Sequence, residues 1–255
     1  MNDLEDGLTE DAFLGGKLRL RQPKSGHRAG HDAMLLAAAT PARSGDRVVD
    51  LGAGVGAAGL AVARRVSGVN LVLIEIDEKL AELARGNAIS NAIAAETIAL
   101  DVTSASRAFE SFGLKPDSAE IVLMNPPFND NTRHRVSPDK SRGTAHVATP
   151  VTLESWVGAA RRLLKTGGVL VMIWRADGIG EVLATLDRGF GSLVVLPVHA
   201  AVTSPAIRVL VRAVKGGKAP TRLEPALVLN DESGRPHQKV QDILQGKAAL
   251  LLATP

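Results

Sequence analysis

The chain has 255 residues, 45% of them hydrophobic, enough to bury one core of ordinary α/β size with room for a small appendage. The absence of cysteine excludes disulfides, thiolate metal sites and a cysteine nucleophile, and fits a reducing cytoplasm, where the protein is expected to work. A net charge of +3 is compatible with a polyanionic partner without demanding one; no basic or apolar leader opens the chain and no stretch reaches a membrane span, so no membrane partner is expected.

Residues 1–40 are expected to form a basic hairpin and a helix packed on the main domain, residues 41–255. Lys17, Arg19, Arg21, Lys24 and Arg28, with His27 and His31, fall within fifteen residues that contain no acid. The segment reads as two short strands around a Pro-Gly-rich loop, then a helix opened by His31-Asp32 that carries Met34, Leu35, Leu36 and an alanine run. A charge run of this kind is either a solvated surface or a phosphate contact, and the following helix points its N-terminus at the same region.

From Asp46 the pattern becomes regular. A strand, Arg47 to Leu51, leads into Gly52-Ala53-Gly54-Val55-Gly56 and a helix ending near Ser67-Gly68. A second strand, Leu71 to Ile74, ends in Glu75, and a helix from Glu78 to Asn91 has Leu80, Leu83 and Ala84 as its inner face. A third strand, Thr97 to Leu100, ends in Asp101. A fourth, Ile121 to Met124, runs into Asn125-Pro126-Pro127-Phe128 and a long polar loop to Pro150. A helix from Leu153 to Leu164 and a strand from Val169 to Ile173 follow. The segments around Leu193–Leu196 and Ile207–Val214 read as a terminal antiparallel pair. Strands alternating with helices specify a mostly parallel sheet covered on both faces, with ligands at the carboxyl ends of its strands.

The glycines of Gly54-Val55-Gly56-Ala57-Ala58-Gly59 match a dinucleotide-binding pattern, which alone is weak evidence for a nicotinamide enzyme. Asp50 argues otherwise, because an acid immediately before the glycines is unwelcome to a pyrophosphate and welcome to a cationic amino acid moiety. Glu75 can accept from two ribose hydroxyls, and Asp101 from an adenine amine. In Asn125-Pro126-Pro127-Phe128 the two prolines stiffen the backbone. The Asn125 side-chain oxygen and a rigid backbone oxygen then form an acceptor pair suited to one NH2 group, and Phe128 offers a flat face to the planar group that carries it.

In this order and spacing, Asp50-Leu51-Gly52-Ala53-Gly54, Glu75, Asp101 and Asn125-Pro126-Pro127-Phe128 resemble the motifs of class I S-adenosylmethionine methyltransferases that alkylate exocyclic or amide nitrogens. The segment from Gln22-Pro23 to Leu36, and the tail from Leu227-Val228-Leu229-Asn230 through Gln238-Lys239, resemble the bacterial tRNA1(Val) adenine N6-methyltransferase family. The resemblance implies a Rossmann-like α/β fold with a mostly parallel seven-stranded sheet, helices on both faces and a terminal antiparallel pair. It implies S-adenosylmethionine as cofactor, held by Asp50, Gly52, Ala53, Gly54, Gly56, Glu75, Ile76, Asp101, Val102 and Asn125. Catalysis is placed on Asn125, Pro126, Pro127 and Phe128, and the partner is RNA, with tRNA favoured over rRNA. Phe128 departs from the family, which often has Tyr there, and the loop from Asn129 to Pro150 does not align with it.

RNA contacts are expected from Lys17, Arg19, Arg21, Lys24 and Arg28, and from Arg133, Arg135, Lys140 and Arg142 in a mobile lid that equally reads as plain solvent exposure. Metal binding is not expected, because the only close histidine pair, His27 and His31, has basic surroundings. Arg161, Arg162 and Lys165 read as the outer face of a helix, and Trp156 and Trp174 as packing residues. Other amine acceptors remain open: guanine N2 in rRNA, adenine N6 in DNA, or glutamine in protein. So do a nicotinamide-dependent oxidoreductase, which would leave the Asn-Pro-Pro-Phe segment unexplained, and a protein that binds cofactor without turnover.

Overall fold

The computed structural model describes residues 7–26, 28–127 and 150–253. An antiparallel hairpin, β1 (Leu8–Phe13) and β2 (Leu18–Pro23), precedes helix α1 (His31–Ala39). The main unit then runs β3 (Arg47–Leu51), α2 (Ala57–Arg65), β4 (Asn70–Glu75), α3 (Glu78–Ser90), β5 (Ala95–Ala99), α4 (Ser106–Glu110) and β6 (Ala119–Met124). After α5 (Pro150–Leu163) come β7 (Leu164–Arg175), α6 (Ile179–Leu186), β8 (Phe190–His199), β9 (Ala206–Lys215), β10 (Arg222–Leu223), β11 (Leu227–Val228) and α7 (Gln238–Leu244).

Seven long strands lie in the order β8-β9-β7-β6-β3-β4-β5, with β9 antiparallel to both its neighbours and every other long pair parallel. The expected terminal pair is therefore β8 and β9, with β9 inserted between β7 and β8. Two-residue strands β10 and β11 extend the outer edge of β8. Strand residues alternate between two cores. Val48, Leu71, Leu73 and Leu123 face α1, α2 and α3, while Val49, Val72, Ile74 and Met124 face α4, α5 and α6.

Several local expectations are corrected. Residues 17–31 supply only one strand of the hairpin; the other is Leu8–Phe13, and the Pro-Gly stretch, from Pro23 at the end of β2 to Gly26, closes the hairpin instead of dividing it. On α3 the buried residues are Ala81, Ala84, Asn87 and Ala88, and the expected Leu80 and Leu83 pack half-buried against the same core as Ala84. Lys165 lies in β7, where it pairs with Glu120, and Arg162 on α5 sits over the Phe109 ring at 5.0 Å. Both short helices, α4 and α6, carry too little periodicity to be read in advance.

Helix α1 is buried from Ala33 to Ala39 and, being apolar all round, needs cover on every side. It contacts α2, β7, α7 and the 3-10 turn Leu251–Ala253. Arg65 closes its carboxyl end by donating to the carbonyls of Ala37 and Thr40. The hairpin's free edge, on β2, meets α3 instead of a strand. Asn91 Oδ1 accepts from Arg19 N–H at 3.0 Å and Asn87 Oδ1 from Arg21 N–H at 2.8 Å.

Candidate active site at the carboxyl edge of the sheet

Strand β3 is where the sheet order diverges, towards β4 and β5 on one side and β6 and β7 on the other, and such a switch point opens a crevice at the carboxyl ends of the strands. The register sets Leu51 level with Ile74 and Met124, and Glu75 level with Ala99. Four chain segments therefore leave the sheet along one edge: Gly52–Gly56, Glu75-Ile76, Asp101-Val102 and Asn125–Pro127.

Gly52, Gly54 and Gly56 all have positive φ, at +69°, +56° and +87°. At Gly54 a Cβ would point into open space, so its backbone conformation, not crowding, calls for glycine there. Gly59, one turn into α2, is different: a Cβ would lie 2.6 Å from Leu73 Cδ2 and 3.0 Å from Asp50 Oδ2, so only glycine lets this helix approach the sheet. Trp156 closes the other side of the loop, its indole standing 2.3 Å from where a Cβ on Gly52 would be. It is a buried packing residue, as is Trp174.

Three buried polar side chains hold this turn, Glu75 and Asn87 on the loop and Asp50 on the first turn of α2. Glu75 accepts from Gly54 N–H at 2.7 Å with one oxygen and from Asp77 N–H at 3.0 Å with the other. Asp50 Oδ2 accepts from Gly59 N–H at 2.8 Å. Asn87 Nδ2 donates to the Val55 carbonyl at 3.0 Å. Asp50 is thus buried and bonded to the start of α2. Burial pushes its carboxyl up to about 7, the Gly59 N–H opposes this, and the nearby Glu75 charge adds to it.

Farther along the edge, Asp101 Oδ1 accepts from both the backbone N–H and the hydroxyl of Thr103 at 2.8 Å. Ile76 is 49% exposed, an uncovered apolar surface between Glu75 and the start of α3, while Val102 is buried. Asn125 Oδ1 is buried with no hydrogen-bond partner among the described residues. Pro126 beside it is buried and Pro127 exposed. Phe128 and the loop cations Arg133, Arg135, Lys140 and Arg142 lie outside the described residues, as does His27.

The N-terminal cations divide. Arg28 is half-buried and engaged with Asp11 Oδ2 (2.7 Å), Thr9 Oγ1 (2.9 Å) and the Pro23 carbonyl (2.6 Å). Arg19 pairs with Glu10 at 2.9 Å. The stretch without acids is therefore answered by two acids on β1, which the hairpin register lays beside it. Lys17, Arg21 and Lys24 lie on the exposed surface. Asn87 was absent from the expected site, although a lone polar residue between Ala84 and Ala88 on a buried helix face signals a buried polar contact.

The edge suits a nucleoside bearing an amino acid: Gly54 leaves its Cα side open, Ile76 offers an apolar face, and Glu75 and Asp101 retain acceptor capacity. Comparison with known proteins agrees. Residues 25–199 match the model of the methyltransferase small domain. The tRNA1(Val) (adenine(37)-N6)-methyltransferase of Erwinia tasmaniensis is 30% identical over 207 residues, 80% of this chain and 81% of that relative. A solved structure from Agrobacterium tumefaciens, described as a predicted O-methyltransferase, has a TM-score of 0.71 at 31% identity, covering 86% of this chain and 98% of its own. The fold is shared with a T. thermophilus 16S rRNA N2 G1207 methyltransferase in complex with AdoMet and guanosine, at a TM-score of 0.58 and 21% identity over 82% of this chain and 50% of that one.

The chain belongs to the methyltransferase small domain family. It is an S-adenosylmethionine-dependent methyltransferase, related to enzymes named for adenine N6 methylation of tRNA1(Val).

Proposed function

We propose that this methyltransferase modifies the exocyclic N6 of an adenine in RNA, with tRNA as the substrate. The observation that carries the reading is the buried Oδ1 of Asn125 at the carboxyl end of β6, which has no partner among the described residues. An acceptor left without a donor costs roughly 1 to 3 kcal/mol, and the amine of a bound base relieves that cost. Its position after a strand, stiffened by Pro126 and Pro127, suits an amine that must be held by both of its hydrogens.

In this reading the loop Gly52, Ala53, Gly54 and Gly56 cradles the amino acid end of S-adenosylmethionine. Asp50 holds the start of α2, which follows that loop. Glu75 accepts from the ribose hydroxyls, Asp101 from the adenine amine, and Ile76 and Val102 flank the adenine ring. The cofactor supplies an electrophilic methyl group on a sulfonium.

Asn125 Oδ1 and the Pro126 carbonyl accept from the two N6 hydrogens, which draws the nitrogen lone pair out of conjugation with the ring and aims it for in-line attack. The same acceptors stabilise positive charge as it grows on nitrogen, so they bind the transition state more tightly than the ground state. The N–C bond forms as the S–C bond breaks, and the surplus amine proton leaves afterwards, so no dedicated base is required beforehand. Phe128 stacks on the base once it has left its own stack, a positioning contribution of roughly 1 to 3 kcal/mol. A hydroxyl acceptor suits this edge poorly. It brings one hydrogen to two acceptors, so one of the pair stays unsatisfied.

The test is to incubate the protein with methyl-labelled cofactor and total RNA lacking the modification, then digest and identify the labelled nucleoside. The expected product is N6-methyladenosine in the tRNA fraction. Label in 2-methylguanosine, in a ribose methyl or in protein would overturn the assignment of the acceptor.

A further inference from the structure

The hairpin and the glycine loop meet at one side chain. Asn87 is 1% exposed, and its carboxamide is fully engaged. Oδ1 accepts from Arg21 N–H at 2.8 Å, and Nδ2 donates to the Arg21 carbonyl and to the Val55 carbonyl, each at 3.0 Å. An amide has two N–H donors, so one serves the hairpin and the other the glycine loop. Asn91, one turn along α3, repeats only the first half of this. It accepts from Arg19 N–H at 3.0 Å and donates to the Arg19 carbonyl at 2.6 Å, and its further contact at 2.8 Å is to the carbonyl of Asn87 within α3.

The spacing explains why a helix can stand in for a strand here. Four residues of helix advance about 6 Å and two residues of strand about 6.8 Å, so asparagines at i and i+4 face the backbone of alternate strand residues. Residues 19 and 21 of β2 thereby acquire a second ladder made of side-chain amides. Only Asn87 extends that ladder to the site. The Val55–Gly56 peptide unit is fixed at both ends, its carbonyl by Asn87 and its N–H by the Ala53 carbonyl at 2.8 Å. That unit sets the turn from the loop into α2.

We propose that Asn87 is a positioning residue for the cofactor: its carboxamide orients the Val55–Gly56 peptide and joins it to β2, so that cofactor loop and hairpin tighten or loosen together. This rests on the reading of Gly52–Gly56 as the cofactor cradle, and not on RNA as the substrate. A residue that merely holds the fold together would act like Asn91, which anchors the same hairpin without touching the loop.

Calorimetric titration of S-adenosylhomocysteine into wild type, Asn87→Ala, Asn91→Ala and Glu75→Ala separates the possibilities. Loss of a buried amide contact to the loop should weaken binding about tenfold or more in Asn87→Ala, with less than about a twofold change in Asn91→Ala. Equal losses in the two asparagine variants, or wild-type affinity in Asn87→Ala beside a weakened Glu75→Ala, would overturn the proposal. Wild-type affinity in Glu75→Ala as well would instead remove the cradle reading beneath it.

Should Asn87→Ala not fold, amide exchange in the wild-type protein decides. S-adenosylhomocysteine should slow exchange of the Arg21 amide several-fold and that of Arg19 less. An Arg21 amide indifferent to the cofactor product would overturn the coupling.

Discussion

Asn125 keeps a buried carbonyl oxygen without a donor among the described residues, an arrangement that works against the free protein's stability and for its reaction. Asn125→Ala should therefore lower turnover on an unmodified tRNA transcript by roughly 10² to 10³, the size of one oriented transition-state hydrogen bond, without lowering Tm. Near wild-type turnover would defeat the proposed mechanism while leaving fold and cofactor untouched. Glu75 is less forgiving. Both its oxygens accept from backbone N–H groups, so in Glu75→Gln the new NH2 must face an N–H of Gly54 or Asp77. We expect S-adenosylhomocysteine affinity to fall by about 1.5 to 3 kcal/mol, and unchanged affinity by calorimetry would take Glu75 out of the site. Asp50 sets a pH dependence. Its folded-state pKa is raised from 3.8 to about 7, so the folded protein holds a proton that the unfolded chain releases, and the associated stability is full below about pH 4 and lost as pH rises through 7. Asp50→Asn keeps an oxygen for the Gly59 N–H and does not titrate, so its Tm should decline less than that of wild type between about pH 5 and 8. Parallel profiles would show that Asp50 is ionised throughout.

The hairpin combines two kinds of cation. Lys17 is exposed at the turn, whereas Arg28 ties the segment before α1 to β1 through Asp11 and Thr9 and to the end of β2 through the Pro23 carbonyl. Lys17→Glu should weaken tRNA binding and flatten its salt dependence by about one unit of logarithmic slope with cofactor affinity unchanged. Arg28→Ala should instead lower Tm by several degrees. A wild-type salt slope for Lys17→Glu would return that residue to ordinary solvated surface. This division was not legible in the sequence, because Glu10 and Asp11 precede the acid-free stretch and only strand register brings them across from it. What was legible were the central parallel strands: β4 and β6, buried on both faces, read as continuous apolar runs, and their ends at Glu75 and Asn125 marked the crevice before any geometry was known. Asp50 was found by the same logic but given the wrong surroundings, since nothing in its neighbourhood announces that Gly59, nine residues on, donates to it. The partners of Asn87 were hidden for a stronger reason, being the backbone of residues 66 and 32 positions away.

At the scale of the whole molecule, the family match ends at residue 199, yet residues beyond it complete the core on the α1 side. Helix α1 has no polar face to turn to water. Val240 and Ile243 on α7, with Leu250 and Leu252 behind it, are buried in the core that also holds α1, and Leu250 N–H donates to the Ala38 carbonyl at 2.9 Å. Burying four such side chains contributes about 6 to 12 kcal/mol at 1.5 to 3 each, an upper figure because the unfolded chain already hides part of that surface. A whole domain is stable by only about 5 to 15 kcal/mol. The tail is thus of the same order as the net stability, and its loss would also uncover the helix through which the N-terminal hairpin continues into β3. A chain ended after His237 should show no cooperative thermal transition by circular dichroism and should elute as aggregate on size exclusion. A sharp melt within a few degrees of the full chain would mean that α1 is adequately covered by α2 and β7 alone, and that the C-terminal segment belongs to the substrate surface instead of the core.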